Sequence, residues 1–129
     1  MINYSITGNS PMLERYTDLD IPNDLRAQGV PLHQIGIANV AWPRNAALSL
    51  LQVLYGRTIA VLGGDVLRLA AGQPYHTYDN WHTDPHPSED FAQYAARSQE
   101  AAAAYIQAYR ENGSQHLYLL VLADRLPSQ

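Results

Sequence analysis

The sequence has no cysteine and no lysine, and it lacks an apolar run long enough to cross a membrane, which takes about 18 residues. Without cysteine, a disulfide framework, a thiolate zinc site and a cysteine nucleophile are all excluded. The first ten residues carry neither a basic cluster nor the apolar stretch of a secretion signal. We therefore expect a soluble, cytoplasmic protein.

Negative charge predominates, because twelve acidic residues face only eight basic ones, all of them arginine. The formal net charge is −4. A surface of that sign repels nucleic acid and anionic lipid. Neither nucleic acid nor a membrane is therefore expected as a direct partner.

The most extended pattern in the sequence is a hairpin predicted over residues 56–81. Two runs with strand composition flank turn residues at positions 71–74. The first run is interrupted by Gly63 and Gly64, and glycine inside a strand is typical of a bulge or of a close backbone approach. A phosphate-binding turn is the alternative, but neither glycine-rich phosphate motif is present.

Two main helices are predicted on either side of this hairpin. Apolar residues at three- and four-residue spacing predict a helix of about three turns that ends at Gly56: Ala47, Leu50, Leu51 and Leu54. Ser88 is the predicted N-cap of a longer helix that extends to about Asn112, with Gly113 as its stop. A short helical segment of one or two turns is predicted over residues 21–29.

Two further strands complete the prediction. Residues 35–42 alternate in side-chain character and end at Pro43, whereas residues 116–123 are apolar on both faces and predict a central strand. The chain of 129 residues is therefore predicted to form one α+β domain, with a mainly antiparallel sheet of about four strands and two main helices on one face. Residues 29–123 form its core, and residues 1–28 are expected to be peripheral or less ordered.

A histidine cluster is the strongest candidate for metal binding. His76, His82, Asp84 and His86 lie close together in the sequence, and imidazole and carboxylate groups are zinc ligands. However, the last three lie in a proline-rich loop without helical spacing, and no partner motif occurs elsewhere. We therefore expect no bound metal and no cofactor.

Four residues at the far end of the hairpin are the candidate partner-binding residues: Asp65, Asp79, Asn80 and Trp81. Asp65 and Asp79 are also a carboxylate pair of the kind used in acid-base catalysis, but no catalytic signature surrounds them. The run at 78–81, Tyr78-Asp79-Asn80-Trp81, is denser in hydrogen-bonding and aromatic groups than a turn requires, which favours a recognition surface. An ordinary core role for Trp81 and Trp42 is the alternative.

Several stretches, in this order, resemble a family of bacterial polymorphic-toxin immunity proteins, the family numbered forty among them. They are GIANVAW at 36–42, AAL at 46–48, IAVLGGDV at 59–66, TYDNW at 77–81, Arg97-Ser98, Tyr105-Ile106 and Tyr109. The pair LGGDV and TYDNW is the most specific part of the resemblance, which spans roughly residues 29–122.

The resemblance implies a non-enzymatic immunity protein that binds a cognate toxin domain and blocks it. Two other classes remain as alternatives. One is a small metal-dependent hydrolase that uses Asp65, Asp79 and the histidine cluster. The other is a small-molecule-binding module in a cleft beneath the hairpin.

Overall fold

The computed structural model of the protein describes residues 19–126. Its elements in chain order are α1 (Asn23–Arg26), β1 (Val30–Pro31), a 3-10 turn (His33–Ile35), β2 (Val40–Pro43), α2 (Arg44–Leu54), β3 (Ala60–Ala70), β4 (Gln73–His82), α3 (Phe91–Ala108) and β5 (Gln115–Ala123). No helix in this range has the length and apolar content needed to cross a membrane. The predicted α+β class is confirmed.

The sheet has five strands in the order β1-β2-β5-β3-β4, and every neighbouring pair is antiparallel. It therefore has one strand more than predicted, the two-residue β1. Strand β5 lies in the middle with eight of its nine residues buried, as its apolar sequence predicted. Its central position gives both of its faces a layer to pack against.

The two main helices cover one face of this sheet, as predicted. Strand β5 contributes Tyr118, Leu120 and Leu122 to that layer, and the cluster also contains the apolar faces of α2 and α3. All four residues that predicted α2 are buried: Ala47, Leu50, Leu51 and Leu54. The start of the described chain also packs here, through Leu19, Ile21 and Leu25.

The opposite face of the sheet is covered by chain that was predicted to be a strand. Only residues 40–42 of the predicted strand at 35–42 are paired, and β2 continues through Pro43, which was predicted to end the strand. Gly36 bends the chain with φ 79°. Leu32, Ile35 and Ile37 instead pack over Leu117 and Leu119. The apolar alternation arose from a segment that lies across the sheet, and such a segment shows the pattern of a strand without its pairing.

The predicted hairpin is confirmed as β3 and β4. Its turn consists of Ala71 and Gly72, with φ values of 51° and 75°, and two positive values in a two-residue turn suit the twist of the flanking strands. Gln73 and Pro74, which were predicted to be turn residues, already belong to β4. Within residues 19–126, β4 forms the outer edge of the sheet, a position that tolerates proline.

Both predicted roles of the glycine pair occur in β3. The pairing of β3 with β5 shifts register between Val61 and Gly63, which is a bulge. At Gly64 an added Cβ would overlap the carbonyl oxygen of Leu119 and the ring of Trp81. Gly64 is therefore needed for the close approach of β3 to β5 and to Trp81.

Helix α3 begins two residues later than predicted. Asp90 is its N-cap and accepts a hydrogen bond from the backbone of Gln93 at 2.8 Å, while the Gln93 side chain accepts one from the Asp90 backbone at 2.9 Å. This reciprocal pair satisfies two helix-end donors. The helix ends at Ala108 instead of Asn112, and Arg44 donates to the carbonyl groups of Ile106 and Tyr109 at this end.

Substitution of Gly64 by alanine is expected to lower the free energy of unfolding by at least about 2 kcal/mol, because the backbone of β5 cannot move away from the new methyl group. Gly72→Ala is the matched control. Position 72 has open space around it but a positive φ, so the expected cost is about 1 kcal/mol. Urea denaturation of both variants tests the difference, and equal midpoints would show that the contact at Gly64 is not restrictive.

Candidate binding surface

The four predicted residues lie in adjacent rows of β3 and β4. Asp65 is paired with Asn80, and Gly64 is paired with Trp81. Because successive residues of a strand point to opposite faces, Asp65 and Asn80 share one face of the sheet, whereas Trp81 lies on the face that carries the helices. Strand pairing therefore places the four residues close together, but their side chains are divided between the two faces of the sheet.

Burial divides the same four residues again. Asp65 and Trp81 are only 7% and 8% exposed, Asn80 is partly exposed and Asp79 is exposed. Asp79 and Asn80 are therefore the members that a partner can reach directly. Asp65, on the face of Asn80, and Trp81, on the opposite face, are both buried.

Strand β4 has a bulge between the residue that pairs with Asp65 and the residue that pairs with Leu67. Asp65 faces Asn80, but Leu67 faces His76, so three residues of β4 lie opposite Val66 alone. The hydroxyl of Thr77 donates to the carbonyl of Val66 at 2.7 Å and accepts from the backbone of Asp79 at 3.1 Å. Bulges of this kind re-aim side chains next to functional sites.

Tyr78 lies at the middle of this bulge with φ 68°. Its side chain is 71% exposed, and its ring stacks on that of His76 with the centroids 5.5 Å apart. The side chain of Asn80 donates to the Tyr78 carbonyl at 3.3 Å. The bulge thus presents a large aromatic ring at the surface.

Asp79 is held by a hydrogen bond from α3's C-terminal end. The hydroxyl of Tyr109 donates to its carboxylate oxygen Oδ2 at 2.6 Å. Burial, and next the hydrogen bond to Asp79, raise the pKa of Tyr109, so its hydroxyl stays protonated as the donor. No arginine or histidine of residues 19–126 forms an ion pair with Asp79.

Trp81 packs into the core, which was the alternative to a partner-binding role. Its ring stacks on Tyr105 with the centroids 4.6 Å apart and the planes at 25°. Its indole nitrogen is buried and has no hydrogen-bond partner among residues 19–126. Trp42 is also a core residue, at 1% exposure. Trp81 therefore connects β4 to α3.

A model of one protein family, described as Immunity protein 40, matches residues 31–122. The chain belongs to the immunity protein 40 family. The match extends from the end of β1 nearly to the end of β5 and includes the whole hairpin. Neither the curated proteins nor the solved structures include a significant match.

The loop that follows β4 in this immunity protein is held by one arginine. Arg97 of α3 makes two hydrogen bonds to the Glu89 carboxylate, at 2.7 and 2.8 Å, and a third to the carbonyl of Asp84 at 2.7 Å. The hydroxyl of Tyr94 donates to the carbonyl of Thr83 at 2.6 Å. These bonds fix the loop against α3.

The histidines of this loop do not converge. His82 and Asp84 are 3.8 Å apart at an exposed position, and His76 instead stacks on Tyr78. In the described part of the chain, no three histidine, aspartate or glutamate side chains lie together in an arrangement that holds a metal. The site lacks the ligand count of a structural or catalytic zinc centre.

The space beneath the hairpin is filled by Trp81 and Tyr105. A groove of about 450 Å³ lies elsewhere, between α2 and α3, with Leu48, Tyr55 and Ala96 among its lining residues. This groove is therefore not the cleft beneath the hairpin on which the small-molecule alternative was based.

Two residues of this surface were not among the four candidates. Tyr78 was recognised only as part of the dense run at 78–81, and its positive φ follows from the bulge. Tyr109 was recognised only as a helix residue, since its partner Asp79 lies thirty residues away in sequence. The density of the run is a sequence signal for Tyr78, whereas no sequence signal pairs Tyr109 with Asp79.

Zinc titration of the metal-free immunity protein is expected to show no saturable binding at neutral pH, because the histidines and acids do not converge on one point. Isothermal calorimetry measures this directly. A stoichiometric site with a nanomolar dissociation constant would contradict the expectation and favour the enzyme alternative.

The Glu89–Arg97 pair predicts a specific acid sensitivity. Hydrogen bonds from Arg97, and next from the backbone of His86, lower the pKa of Glu89 from 4.5 to about 2. A carboxyl with a lowered folded-state pKa stabilises the fold above its unfolded pKa, and this stabilisation is lost as the pH falls toward the folded value.

We therefore expect Glu89→Gln to flatten the fall in melting temperature between about pH 4.5 and about pH 2. Glu100→Gln is the control, because Glu100 is an exposed glutamate of α3, the helix that carries Arg97. Melting curves across this range test the expectation. Identical pH profiles for Glu89→Gln and the wild type would show that the pair does not contribute to stability.

Proposed function

We propose that this protein neutralises a cognate toxin by binding the toxin domain through the surface around the β4 bulge, without catalysing a reaction. The observation that supports this most strongly is Asp79, an exposed carboxylate oriented by Tyr109 in a member of an immunity family. Asn80 lies beside it in the contact surface. Asp65 and Trp81 are buried on opposite faces of the same two strands.

Electrostatics favours a toxin with a basic cleft. The net charge of −4 draws the protein toward positive surfaces and speeds their encounter. Toxins that act on nucleic acid need basic clefts to hold phosphates, so a carboxylate can occupy the position of a phosphate there. We therefore propose a nucleic-acid-directed toxin domain as the partner.

The hydrogen bond from Tyr109 makes Asp79 more effective in such an interface. A side chain that is already held in one orientation loses less conformational freedom on binding. No cation among the described residues competes for Asp79, so an arginine or lysine of the toxin is the group that completes its pairing.

Asp79→Asn is expected to weaken toxin binding by about 2 kcal/mol or more, chiefly through faster dissociation, because it leaves the toxin's cation unpaired in a desolvated interface. Asp84→Asn is the matched control: it removes the same charge from an exposed aspartate in the loop after β4. It is expected to change affinity by less than about 0.5 kcal/mol.

Surface plasmon resonance with the purified toxin domain encoded beside this protein measures both rates, and co-expression with the toxin measures protection. Thermal melts establish that the variants are folded. If Asp79→Asn binds and protects like the wild type, the bulge is not the contact surface. If Asp84→Asn alone weakens binding, the contact lies on the loop after β4.

A further inference from the structure

We infer that Tyr78 is the anchor of the toxin interface and inserts its ring into an apolar pocket of the toxin domain, next to the cation that meets Asp79. This inference rests on the proposed function and names a residue outside the four candidates. Four observations support it: backbone conformation, local bonding, exposure and position in the sheet.

The backbone conformation of Tyr78 is the first observation. A φ of 68° is an outlier for a bulky side chain, and such outliers concentrate at ligand-binding sites. Two other residues that are not glycine have positive φ, Ala71 and Asn112, but both lie in turns, where the chain must reverse. Tyr78 instead lies within the span of a strand, where ordinary pairing would need no such conformation.

Local bonding is the second observation, because it holds Tyr78 from both sides. Thr77 is bonded to the carbonyl of Val66 and to the backbone of Asp79, and the Asn80 side chain is bonded to the Tyr78 carbonyl. These bonds maintain the strained conformation in the absence of a partner. A contact residue that is already fixed loses little entropy when it binds.

Exposure is the third observation. At 71% exposure the ring has little contact with the fold apart from His76, so the core gains little from an aromatic residue here. Exposed, rigidly held tyrosines are characteristic anchors of protein interfaces. Tyr55 is even more exposed, at 81%, but it has an ordinary backbone conformation at the end of α2.

Position in the sheet is the fourth observation. Within the described residues β4 is one of the two edge strands, at the opposite end of the sheet from β1, so a partner that covers this edge reaches side chains of both faces, including Tyr78 and Asp79. The bulge also interrupts the regular row of backbone groups that a second copy of this chain would pair with. The toxin domain is therefore the occupant that this edge favours.

Tyr78→Gly separates the binding role from a structural one. Glycine adopts a positive φ without strain, so the variant is expected to melt at the same temperature as the wild type or higher. Its affinity for the toxin domain is expected to fall by roughly thirty-fold or more, the loss typical of an anchor residue. Tyr55→Ala is the matched control and is expected to keep wild-type affinity within about twofold.

The test uses the full chain and the toxin domain encoded beside it, with surface plasmon resonance for affinity and calorimetry for melting. Tyr78→Gly that binds like the wild type overturns the inference and leaves the proposed function intact. Tyr78→Gly that melts well below the wild type also overturns it, since Tyr78 would then be a structural residue. Wild-type protein that does not bind the toxin domain overturns the proposed function itself.

A second copy of this chain is the other possible occupant of the edge, and sedimentation of the protein alone tests for self-association. We expect the wild type and Tyr78→Gly to have the same mass in solution. A wild-type dimer that becomes monomeric in Tyr78→Gly would show that Tyr78 contacts a second copy, which overturns the toxin assignment.

Discussion

The packing of Trp81 between Gly64 and Tyr105 is the contact on which the rest of the hairpin depends. Only glycine leaves room for the indole at this row of β3, and Tyr105 stacks on the same indole from α3. One side chain thereby joins the edge strand to its neighbour and to the helix layer. With this row fixed, the extra residues of β4 have to be accommodated farther along, and they form the bulge that carries Tyr78 and Asp79.

A second set of contacts fixes the end of α3 that holds Asp79. Arg44, at the start of α2, donates to the carbonyls of Ile106 and Tyr109 and lies 3.6 Å from the Glu111 carboxylate. The hydroxyl of Tyr118 donates to Glu111 at 2.7 Å. Burial, and next this hydrogen bond, raise the pKa of Tyr118, which keeps it a donor. The backbone of Tyr109 is therefore held by Arg44, and this places its hydroxyl within reach of Asp79.

These two sets of contacts make the candidate surface rigid, although it lies on an edge strand. Edge strands have one unpaired side and open more easily than central ones. Here the core contacts of Trp81, the bonds of Thr77 and the hydrogen bond from Tyr109 tie β4 down at successive positions. The immunity protein thus combines an accessible edge with a fixed arrangement of side chains, which suits recognition with little reorganisation.

The elements whose patterns are local were correctly predicted. The three- and four-residue spacing of α2 and the apolar run of β5 reflect which faces are buried, and that information lies within a few residues. The hairpin followed from turn residues next to strand-like runs. The strand predicted at 35–42 was right for residues 40–42 and wrong for residues 35–39, because an alternating apolar segment that covers a sheet resembles one that pairs within it. The N-cap was misplaced because Ser88 and Asp90 are both suitable residues, and only Asp90 forms the reciprocal bonds with Gln93.

The sequence by itself determined the α+β class, the layering of helices on a sheet and the unusual density of the run at 78–81. Only the tertiary structure decided which side chains of that run are accessible, because the register of β4 places Trp81 in the core. It alone created the bulge, since bulges depend on the pairing of two strands. It alone brought Tyr109 to Asp79, because residues thirty positions apart meet only where a helix packs against a sheet.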